Sequence, residues 1–480
     1  MSSSYEWYPD KPYPDFTHLK PLQTQLSTQP SILTAEILFT FSSLLCLIHA
    51  LLTSRSHVIT WFSAIISGTA NDIFFMILPM VDNFWHAQCT VMLTPRLPLY
   101  IPLAYARYGS VYAIRNGESG RGCKATYDKK IIYVSLHTCK LPRKIRRGPQ
   151  AGPSPSPNPL MKYALKAQTV MFLPFRSARA PARGLTFQYV GVAASQRLQN
   201  ASTLSKSAYA GLCSSIFYAA YDLVGAKFLW WSWHTTDAAT VIRWCGVPVG
   251  STMWTLVHVF VFTYILNCTV FNPAAASSSF TTSFIKGGAA TAILTTPCMM
   301  IMMSPFQLHQ LEIDFSSLTL TQLPGKPDIT AISLVVATFG YLANKGLRTG
   351  VAPPRWPDKM LFATVLLHFA TLTLVLAMFD PEAVTATGLH QTIGDCDTKD
   401  YDLSGYERRK YLCNKKKHST FSNHNQYFSV CGKVKDVDWF TICGKGKVER
   451  RHLEGIAVLT LIGICLFRIL VVSRKRTKKD

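Results

Sequence analysis

Two long apolar segments joined by a short polar link constrain this chain more than any other feature. Residues 209–228 and 251–271 are almost free of charge, and the link between them carries the run WWSWHTTD at 230–237. About 20 apolar residues are enough for a helix to cross the hydrocarbon core of a bilayer, and Trp side chains collect where that core meets water. The pair therefore predicts two membrane spans with a polar cap at one face.

The composition extends this interpretation to the whole chain. The mean hydropathy is +0.15 and 16% of the residues are charged, whereas a soluble protein carries about 25% charged residues. We predict an all-α fold: a polytopic helical membrane protein of about nine transmembrane helices with a Cys-rich lumenal or extracellular loop. The predicted spans are residues 32–52, 58–81, 89–105, 209–228, 251–271, 284–303, 329–343, 360–379 and 456–472.

Positive charge is concentrated in one stretch between spans. The formal net charge is +23, and residues 107–206 hold 18 Lys and Arg against two acidic residues. The positive-inside rule and anionic lipid explain such a bias in a membrane protein, so we expect the lipid bilayer as a partner and no nucleic acid. An N-terminus outside or in a lumen and a cytosolic C-terminus place the strongly basic connections inside. Loop 380–455 is the exception, and it is long enough to be translocated regardless of charge.

These assignments divide the chain into seven parts. They are an outer polar tail (1–31), spans one to three (32–106), an inner basic Pro-rich segment (107–206), spans four to eight (207–379), a Cys-rich outer loop (380–455), span nine (456–472) and a basic cytosolic tail (473–480). The first tail lacks the features of a signal peptide, so we expect the first span to direct targeting. The terminal RTKKD resembles a dilysine-type retrieval signal, which indicates the endoplasmic reticulum or another endomembrane. The plasma membrane is the alternative.

The basic segment 107–206 differs in composition from its surroundings. It contains the run KLPRKIRRGPQAGPSPSPNP at 140–159. A stretch so rich in Pro, Ser and basic residues buries too little apolar surface to form a core, so we predict disorder. Residues 115–201 are either an arm that binds lipid or a partner, or an insertion atypical of the family. The abrupt compositional break favours the insertion.

Four cysteines lie in the outer loop: Cys396, Cys413, Cys431 and Cys443. In an oxidising compartment, four cysteines in a short polar loop predict two disulfides, with three pairings open. A zinc site is the alternative, but the loop contains no CxxC pair. Cys89 and Cys245 both fall near outer ends of spans, where a bridge between them is a further hypothesis.

The strongest cluster of chemically capable residues lies at the outer ends of spans two and four. Asp82 and His86 follow span two, and His234 and Asp237 follow span four, each pair beside Trp side chains. Aspartate and histidine near a membrane surface are candidates for general acid/base catalysis. His86 and His234 could instead bind zinc with a third histidine such as His309, or the cluster could be interface residues solvated at the headgroups.

Two carboxylates lie deeper in the same spans, Asp72 after Asn71 in span two and Asp222 in span four. A carboxylate in hydrocarbon is costly as an anion and therefore tends to hold a proton. Two such groups with a histidine could perform acid/base chemistry on a lipid, and we expect spans two and four to face each other across one cavity. A buried interhelical hydrogen bond is the alternative role for each carboxylate.

Two stretches carry a resemblance to a known family. One is LTPRLPLYIPLAYA at 93–106, and the other runs through Asp222, Trp230, Trp231, Trp233, Gly246-Val247-Pro248 and Trp254. They resemble the bacterial and archaeal carotenoid-biosynthesis hydratases, multi-pass proteins that add water across an isoprenoid double bond. The Gly-Tyr-rich motif of that family is replaced here by Asn71-Asp72. As a whole, the chain looks more like an uncharacterised family of animal multi-pass membrane proteins that share WWSWHTTD and TPRLPLYIP, a resemblance that implies no activity.

Three functions are compatible with this pattern. The first is a membrane-embedded enzyme that acts on an isoprenoid or other lipid, with Asp72 and Asp222 as proton donors or acceptors. The second is a transporter in which these intramembrane carboxylates bind a proton or a cation. The third is a non-catalytic membrane scaffold whose outer loop binds a partner. The sequence identifies no cofactor.

Overall fold

The computed structural model describes residues 18–78, 83–99, 187–273, 277–308, 310–314, 319–323, 329–402, 405–413, 428–431 and 439–473. The helices are α1 (Leu22–Thr28), α2 (Pro30–Thr53), α3 (Arg55–Ile77), α4 (Phe187–Ser195), α5 (Thr203–Lys227), α6 (Ala238–Val241), α7 (Val249–Thr269), α8 (Phe280–Leu308), α9 (Ile329–Arg348), α10 (Trp356–Met378) and α11 (Arg450–Phe467). Single 3₁₀ turns cover Pro381–Ala383 and Arg468–Leu470.

Short strands connect these helices. They are β1 (Phe84–His86), β2 (Met92–Thr94), β3 (Leu97–Pro98), β4 (Trp231–Trp233), β5 (Arg243–Trp244), β6 (Val247–Pro248), β7 (Gln310–Asp314), β8 (Thr319–Leu323), β9 (Thr385–Leu389), β10 (Ile393–Gly394), β11 (Lys399–Tyr401), β12 (Glu407–Arg409), β13 (Leu412–Cys413), β14 (Phe428–Cys431) and β15 (Trp439–Gly444). The fold is therefore mostly helical, and the prediction of an all-α fold is wrong in the connections.

Six of the helices in the described residues are long and apolar enough to cross a membrane. They are α2, α3, α7, α8, α10 and α11, and each coincides with a predicted span. Helices α5 and α9 cover the fourth and seventh predicted spans but are not among the six. Helix α5 is rich in Ser, Ala and Tyr and buried along most of its length, because neighbouring helices shield it from lipid. The structure thus gives a multi-pass membrane protein, and the count of nine spans is not confirmed.

The third predicted span, 89–105, is wrong over its described part. Residues 92–98 form the antiparallel hairpin of β2 and β3 rather than a helix. The turn is closed by the Thr94 hydroxyl, which accepts the backbone N–H groups of Arg96 and Leu97. Pro95 and Pro98 have no N–H to donate to a helix, so the apolar content of this stretch serves packing in the hairpin. Residues 100–105 lie outside the described part of the chain.

The long helices place their connections at two ends of one bundle. At one end, residues 84–99, 229–248, 379–402, 405–413, 428–431 and 439–449 form a layer that we name the cap. Within it, the Ala87 N–H donates to the Trp230 carbonyl and the Gln88 N–H donates to the Thr387 carbonyl. The N-terminal residues join this layer, because Lys20 N–H donates to the Thr90 carbonyl.

Residues 54–57, 196–202, 270–273, 277–279 and 349–358 lie at the other end, which we name the base. There the Gln199 N–H donates to the Gly350 carbonyl, and Leu198 forms a β-bridge with Val351. These residues are described parts of four connections predicted to be inner, whereas the cap contains described parts of three connections predicted to be outer. Which side of the membrane each end faces stays a prediction.

The described parts of the predicted outer loop 380–455 contribute a sheet to the cap. Strands β14, β15 and β9 form a three-stranded antiparallel sheet. Cys431 and Cys443 form a disulfide between β14 and β15, and Cys396 is also disulfide-bonded. The side chain of Cys413 lies outside the described residues. Of the two predicted disulfides, one is therefore confirmed together with its pairing, and it joins Cys431 to Cys443. Cys89 and Cys245 are free thiols, and the predicted bridge between them is wrong.

Helix α5 is the centre of the bundle. It packs most extensively against α7, and also against α4, α9, α11 and α10. Helix α3 packs instead against α8, α2 and α4. Spans two and four, which the sequence analysis expected to face each other across one cavity, therefore have different principal neighbours.

Helix α4 lies within the segment that the sequence analysis predicted to be disordered. Its nine residues, Phe187–Ser195, are all buried. The Ser214 hydroxyl of α5 donates to the Phe187 carbonyl, and the Gly191 position is so close to the Ala210 carbonyl that a Cβ there would lie 2.7 Å from it. The prediction of disorder for 107–206 is thus wrong for residues 187–206, and the rest of that segment lies outside the described residues.

Candidate functional site

The two predicted Trp/His clusters meet in the cap. Strand β1 pairs antiparallel with β4, so that Phe84 lies opposite Trp233 and His86 opposite Trp231. His234 continues this ladder through its backbone N–H, which donates to the Asn83 carbonyl at 2.7 Å. The outer ends of spans two and four are therefore adjacent, as their matching composition suggested, even though the helices beneath them are not principal neighbours.

His86 is buried in this aromatic layer. Its ring lies 4.4 Å from that of Phe84 and 6.5 Å from that of Trp231, measured between centroids. Burial lowers the pKa of His86 to about 3, although a hydrogen bond to the Arg96 backbone opposes the shift. The imidazole is therefore neutral at physiological pH. It can donate or accept a hydrogen bond, or accept a proton during a reaction, but it does not carry a permanent positive charge.

A small cavity brings His86 together with Asp72, as the sequence analysis proposed in part. The lining residues are Asp72, Phe75, Met76, Asn83, Phe84, His86 and Arg96. The space in this cavity that is open to the centre of a water molecule is about 20 Å³. That volume is room for about one water molecule. The cavity thus joins a carboxyl, an imidazole and a guanidinium around a water-sized space at the cap end of α3.

His234 and Asp237 serve the local fold of the cap. The Nδ1 atom of His234 accepts the backbone N–H groups of Thr236 and Asp237 at 3.2 and 3.0 Å. Burial, reinforced by the nearby Arg408 and Arg243, lowers the pKa of His234 to about 3. The ring is thus a neutral acceptor that closes a turn, and the structure gives it no partner for acid/base chemistry among the described residues.

Asp237 is held by a buried ion pair. Its Oδ2 lies 2.8 Å from Nη1 of Arg408, with both side chains almost fully buried, and its Oδ1 accepts the Ala239 N–H at the start of α6. Burial raises the pKa of Asp237, and the Arg408 guanidinium opposes that shift. The carboxylate therefore joins the link 229–248 to strand β12 of the outer loop.

Asp222 differs from Asp237 and Asp358, two buried carboxylates that form ion pairs with arginine. It is 0% exposed and its Oδ2 accepts the Ser251 hydroxyl of α7 at 2.6 Å, with the Tyr218 hydroxyl as a second partner. Among the described residues, no Lys or Arg forms an ion pair with Asp222. The Oδ1 atom has no hydrogen-bond partner among the described residues. The donors to this carboxyl are therefore neutral hydroxyl groups, and it lies in the interior of the bundle between α5 and α7.

The remaining predicted residues are not assembled into one centre. Asp82 and His309 lie outside the described residues. Asp72 lines the cavity on α3 while Asp222 is held against α7, so the two carboxylates do not share that cavity. The part of the chain that the structure describes contains no group of three or more His, Cys, Asp or Glu side chains placed to hold a metal ion, which leaves the zinc alternative without a site there.

A buried polar chain at the base was not foreseen from the sequence. The Tyr189 hydroxyl lies 2.6 Å from Nδ1 of His49, and Nε2 of His49 lies 3.3 Å from Oδ1 of Asp358. Arg197 completes the chain at 2.8 Å from Oδ2 of Asp358. Asp358 can only accept, so Nε2 carries the proton of the neutral imidazole and Tyr189 donates to Nδ1. This arrangement ties α2, α4 and α10 together.

Two further buried polar groups were also missed. Gln188, beside Tyr189 on α4, hydrogen-bonds through Nε2 to Nδ1 of His258 at 3.2 Å, and the Trp254 ring stacks on His258. Glu36 in α2 accepts the Thr90 hydroxyl at 2.6 Å. A single ionisable residue in an apolar window is the only sequence signal for such groups, and it does not reveal the partner.

Comparison with known proteins gives a family and no activity. No curated protein and no solved structure has a significant match to this chain, so the resemblance to carotenoid-biosynthesis hydratases gains no support. The model of one family matches the chain in two regions, and residues 111–157 fall between them. The proposed insertion 115–201 is therefore unmatched up to residue 157 and matched from residue 158 to residue 201. The chain belongs to the family described as Domain of unknown function (DUF7802), whose model matches residues 16–110 and 158–474.

Proposed function

We propose that this multi-pass membrane protein is a proton-coupled transporter in which Asp222 carries the proton. The observation that carries the proposal is the contrast between Asp222 and two other buried carboxylates, Asp237 and Asp358. Asp237 and Asp358 are each paired with an arginine at 2.8 Å, whereas the partners of Asp222 are the neutral hydroxyl groups of Ser251 and Tyr218.

A buried carboxylate without a cationic partner must obtain compensation in another way. Removing an ionised carboxylate from water costs several kcal/mol, about what a paired cation can return. Neutral hydroxyl donors return less, so Asp222 is expected to bind a proton or a small cation whenever the bundle closes around it. Reversible binding of this kind is the elementary step by which an ion gradient drives transport.

Further buried polar groups lie along the interior of the bundle. Phe187 and Gln188 of α4 contact Ser214 and His258, which lie halfway along α5 and α7. Polar side chains in the interior of a membrane bundle are expected along the path of a transported ion.

Both ends of the bundle are closed by buried ion pairs. Arg408 pairs with Asp237 in the cap, and Arg197 pairs with Asp358 at the base. An interior carboxyl between two closed ends is the arrangement expected of an occluded state, and opening either end requires breaking one pair. In alternating access, the cap and the base would then open in turn, and the ion pair at one end would form when the ion pair at the other end breaks.

A second candidate function is favoured by the cavity at the cap end of α3. It has room for about one water molecule between Asp72, His86 and Arg96. A protonated Asp72 carboxyl could donate its proton to one carbon of a lipid double bond. A water molecule could then add to the other carbon while the neutral imidazole of His86 accepts the proton that the water releases. A lipid or isoprenoid substrate would have to approach from the bilayer, because the cavity itself is too small for one. Comparison of the lipids of cells with and without the protein tests this alternative.

Charge movement after a pH jump tests the transporter proposal. The purified protein is reconstituted into liposomes adsorbed on a solid-supported membrane, and the current after a rapid change of external pH is recorded. A proton that binds at Asp222 crosses part of the membrane field, so we expect a transient current for the wild type. Asp222→Asn keeps the shape and hydrogen-bonding capacity of the side chain but cannot exchange a proton, so the current should disappear.

Two controls separate proton binding from folding. Asp222→Glu retains the carboxyl and should retain the current. Glu454→Gln removes an exposed carboxylate that pairs with Arg450 on the surface of α11 and should leave the current unchanged. Each variant is compared by size-exclusion chromatography before reconstitution. A wild-type current in the folded Asp222→Asn protein would contradict the proposal.

A further inference from the structure

The hairpin between α9 and α10 presents a basic surface at the base. Lys345, Arg348, Arg355 and Lys359 all have exposed side chains there. The sequence 345–359 contains one acidic residue, Asp358, and its side chain is buried against Arg197 and His49. The cations of the hairpin therefore face outward with no carboxylate of the hairpin exposed beside them.

An exposed tryptophan lies within the same surface. Trp356 begins α10 and is 62% exposed, although a Trp side chain is normally well buried in a folded protein. It follows directly after Arg355 and precedes Lys359 by one helical turn. Trp is enriched at the level of the lipid headgroups, where its ring is partly apolar and its N–H finds a polar partner, so its position marks the depth of the hairpin at the membrane boundary.

Apolar side chains continue from the hairpin along the outer faces of both helices. Tyr341 and Leu334 are exposed on α9, and Leu367 and Leu374 are exposed on α10. Helices α9 and α10 both pack against α5, and neither is a principal neighbour of the other. Acyl chains can therefore extend along these faces while a headgroup rests on the hairpin.

The backbone of the hairpin is fixed before any ligand binds. The Arg197 guanidinium donates to the Pro353 carbonyl at 2.9 Å, the Ala352 N–H donates to the Arg197 carbonyl, and the Arg355 N–H donates to Oδ2 of Asp358. Arg355 is half-exposed, and its Nε also lies 3.3 Å from Asp358. Because the backbone is already ordered, an anion on this surface need not bear the cost of ordering it.

We infer that the hairpin 345–359 binds the phosphate-bearing headgroup of an anionic membrane lipid. Arg348, Arg355 and Lys359 supply the positive charge, and Trp356 inserts beside the glycerol region. A guanidinium matches the geometry of a phosphate through two parallel N–H groups. The backbone N–H, Nε and Nη2 of Arg355 contact Asp358, so Arg355 reaches the phosphate through Nη1. The exposed Arg348 can offer two parallel N–H groups.

Fluorescence quenching by brominated lipids tests this contact. The protein is placed in nanodiscs of phosphatidylcholine with a minor fraction of phosphatidylglycerol, and the bromine is carried by the acyl chains of either the anionic or the zwitterionic lipid. The contribution of Trp356 is the difference between the wild type and Trp356→Phe. We expect the brominated anionic lipid to quench Trp356 beyond its mole fraction, and the brominated zwitterionic lipid not to do so.

Removal of the three cations gives the second arm. The triple variant Arg348→Gln, Arg355→Gln and Lys359→Gln should lose the preference for the anionic lipid, by about fivefold for each cation removed. Lys445→Gln with Lys447→Gln removes two exposed lysines at the cap and should leave the preference unchanged. Equal quenching by both brominated lipids in the wild type would overturn the inference, as would displacement of the anionic lipid by inorganic phosphate, which would indicate a site for the free ion.

Discussion

Loss of Arg408 should destabilise the cap severely, because it leaves a buried carboxylate without its counter-charge. The Asp237–Arg408 pair has a 2.8 Å separation and side-chain exposures of 3% and 4%. Breaking a buried pair by removing one partner costs about 3–5 kcal/mol. We therefore expect Arg408→Met to lower the free energy of unfolding of the detergent-solubilised protein by about that amount, measured by guanidinium denaturation followed through Trp fluorescence.

The double variant distinguishes an unpaired charge from lost packing. Asp237→Asn with Arg408→Met removes both charges while the amide still accepts the Ala239 N–H, so it should be more stable than Arg408→Met alone. Glu407→Gln is the matched control. The Lys399–Glu407 pair has the same 2.8 Å separation and lies on the same β11–β12 hairpin as Arg408, but both side chains are about half-exposed. An exposed pair contributes little, so this variant should unfold like the wild type.

The pH dependence of Arg408→Met follows from the pKa of Asp237. Burial raises this pKa and Arg408 opposes the shift, so removing Arg408 leaves the folded-state pKa further above the unfolded value of about 3.9. The folded state then binds a proton more readily than the unfolded state, and the free energy of unfolding increases as the pH falls through the folded-state pKa. A variant that is no less stable than the double variant, or that gains nothing at low pH, would refute the reasoning.

Two further predictions concern the packing of the cap. Cys431 and Cys443 should resist alkylation until a reductant is added, and Cys431→Ser should lower the free energy of unfolding by about 3 kcal/mol, the loop-closure contribution of a short loop; ready alkylation of both thiols would exclude the bond. Gly225→Ala should destabilise the protein by about 1–3 kcal/mol, because the added Cβ would lie 2.4 Å from the Trp231 ring. The control Gly340→Ala meets nothing within 4 Å and should be neutral or stabilising.

How much of this structure could be predicted depends on what the sequence pattern reports. Hydropathy reports long apolar segments, so it located the six helices that are long and apolar enough to cross a membrane. It is a poor guide to residues that other protein covers. Residues 89–99 are apolar because the hairpin of β2 and β3 is packed in the cap, and α4 is buried although the basic stretch before it predicts disorder.

The candidate site shows the same limit in its contacts. The Trp/His clusters could be matched because each one is a local run of distinctive residues, and β1 and β4 do pair. The hydrogen-bonded chain from Tyr189 through His49 to Asp358 could not be predicted, because His49 and Asp358 are 309 positions apart in the sequence. His49 by itself looks like an isolated polar group in a span, and Tyr189 and Asp358 lie outside the predicted spans. A pairing between remote positions leaves no trace in the composition of either window.

The sidedness of the bundle is the prediction with the widest consequence for function. The cap holds the disulfide Cys431–Cys443, which requires an oxidising compartment. The base holds the exposed basic hairpin 345–359, which the positive-inside rule places in the cytosol.

Labelling of single introduced cysteines tests this sidedness. Tyr401→Cys reports on the cap and Gln199→Cys reports on the base, because both side chains are exposed. With the wild type as background, Gln199→Cys should react with a membrane-impermeant maleimide once digitonin has opened the plasma membrane. Tyr401→Cys should react from outside intact cells or, if the protein resides in an endomembrane, only after full solubilisation. The reverse pattern would place the basic hairpin in the oxidising compartment and would remove the anionic lipids of the cytosolic leaflet as its partner.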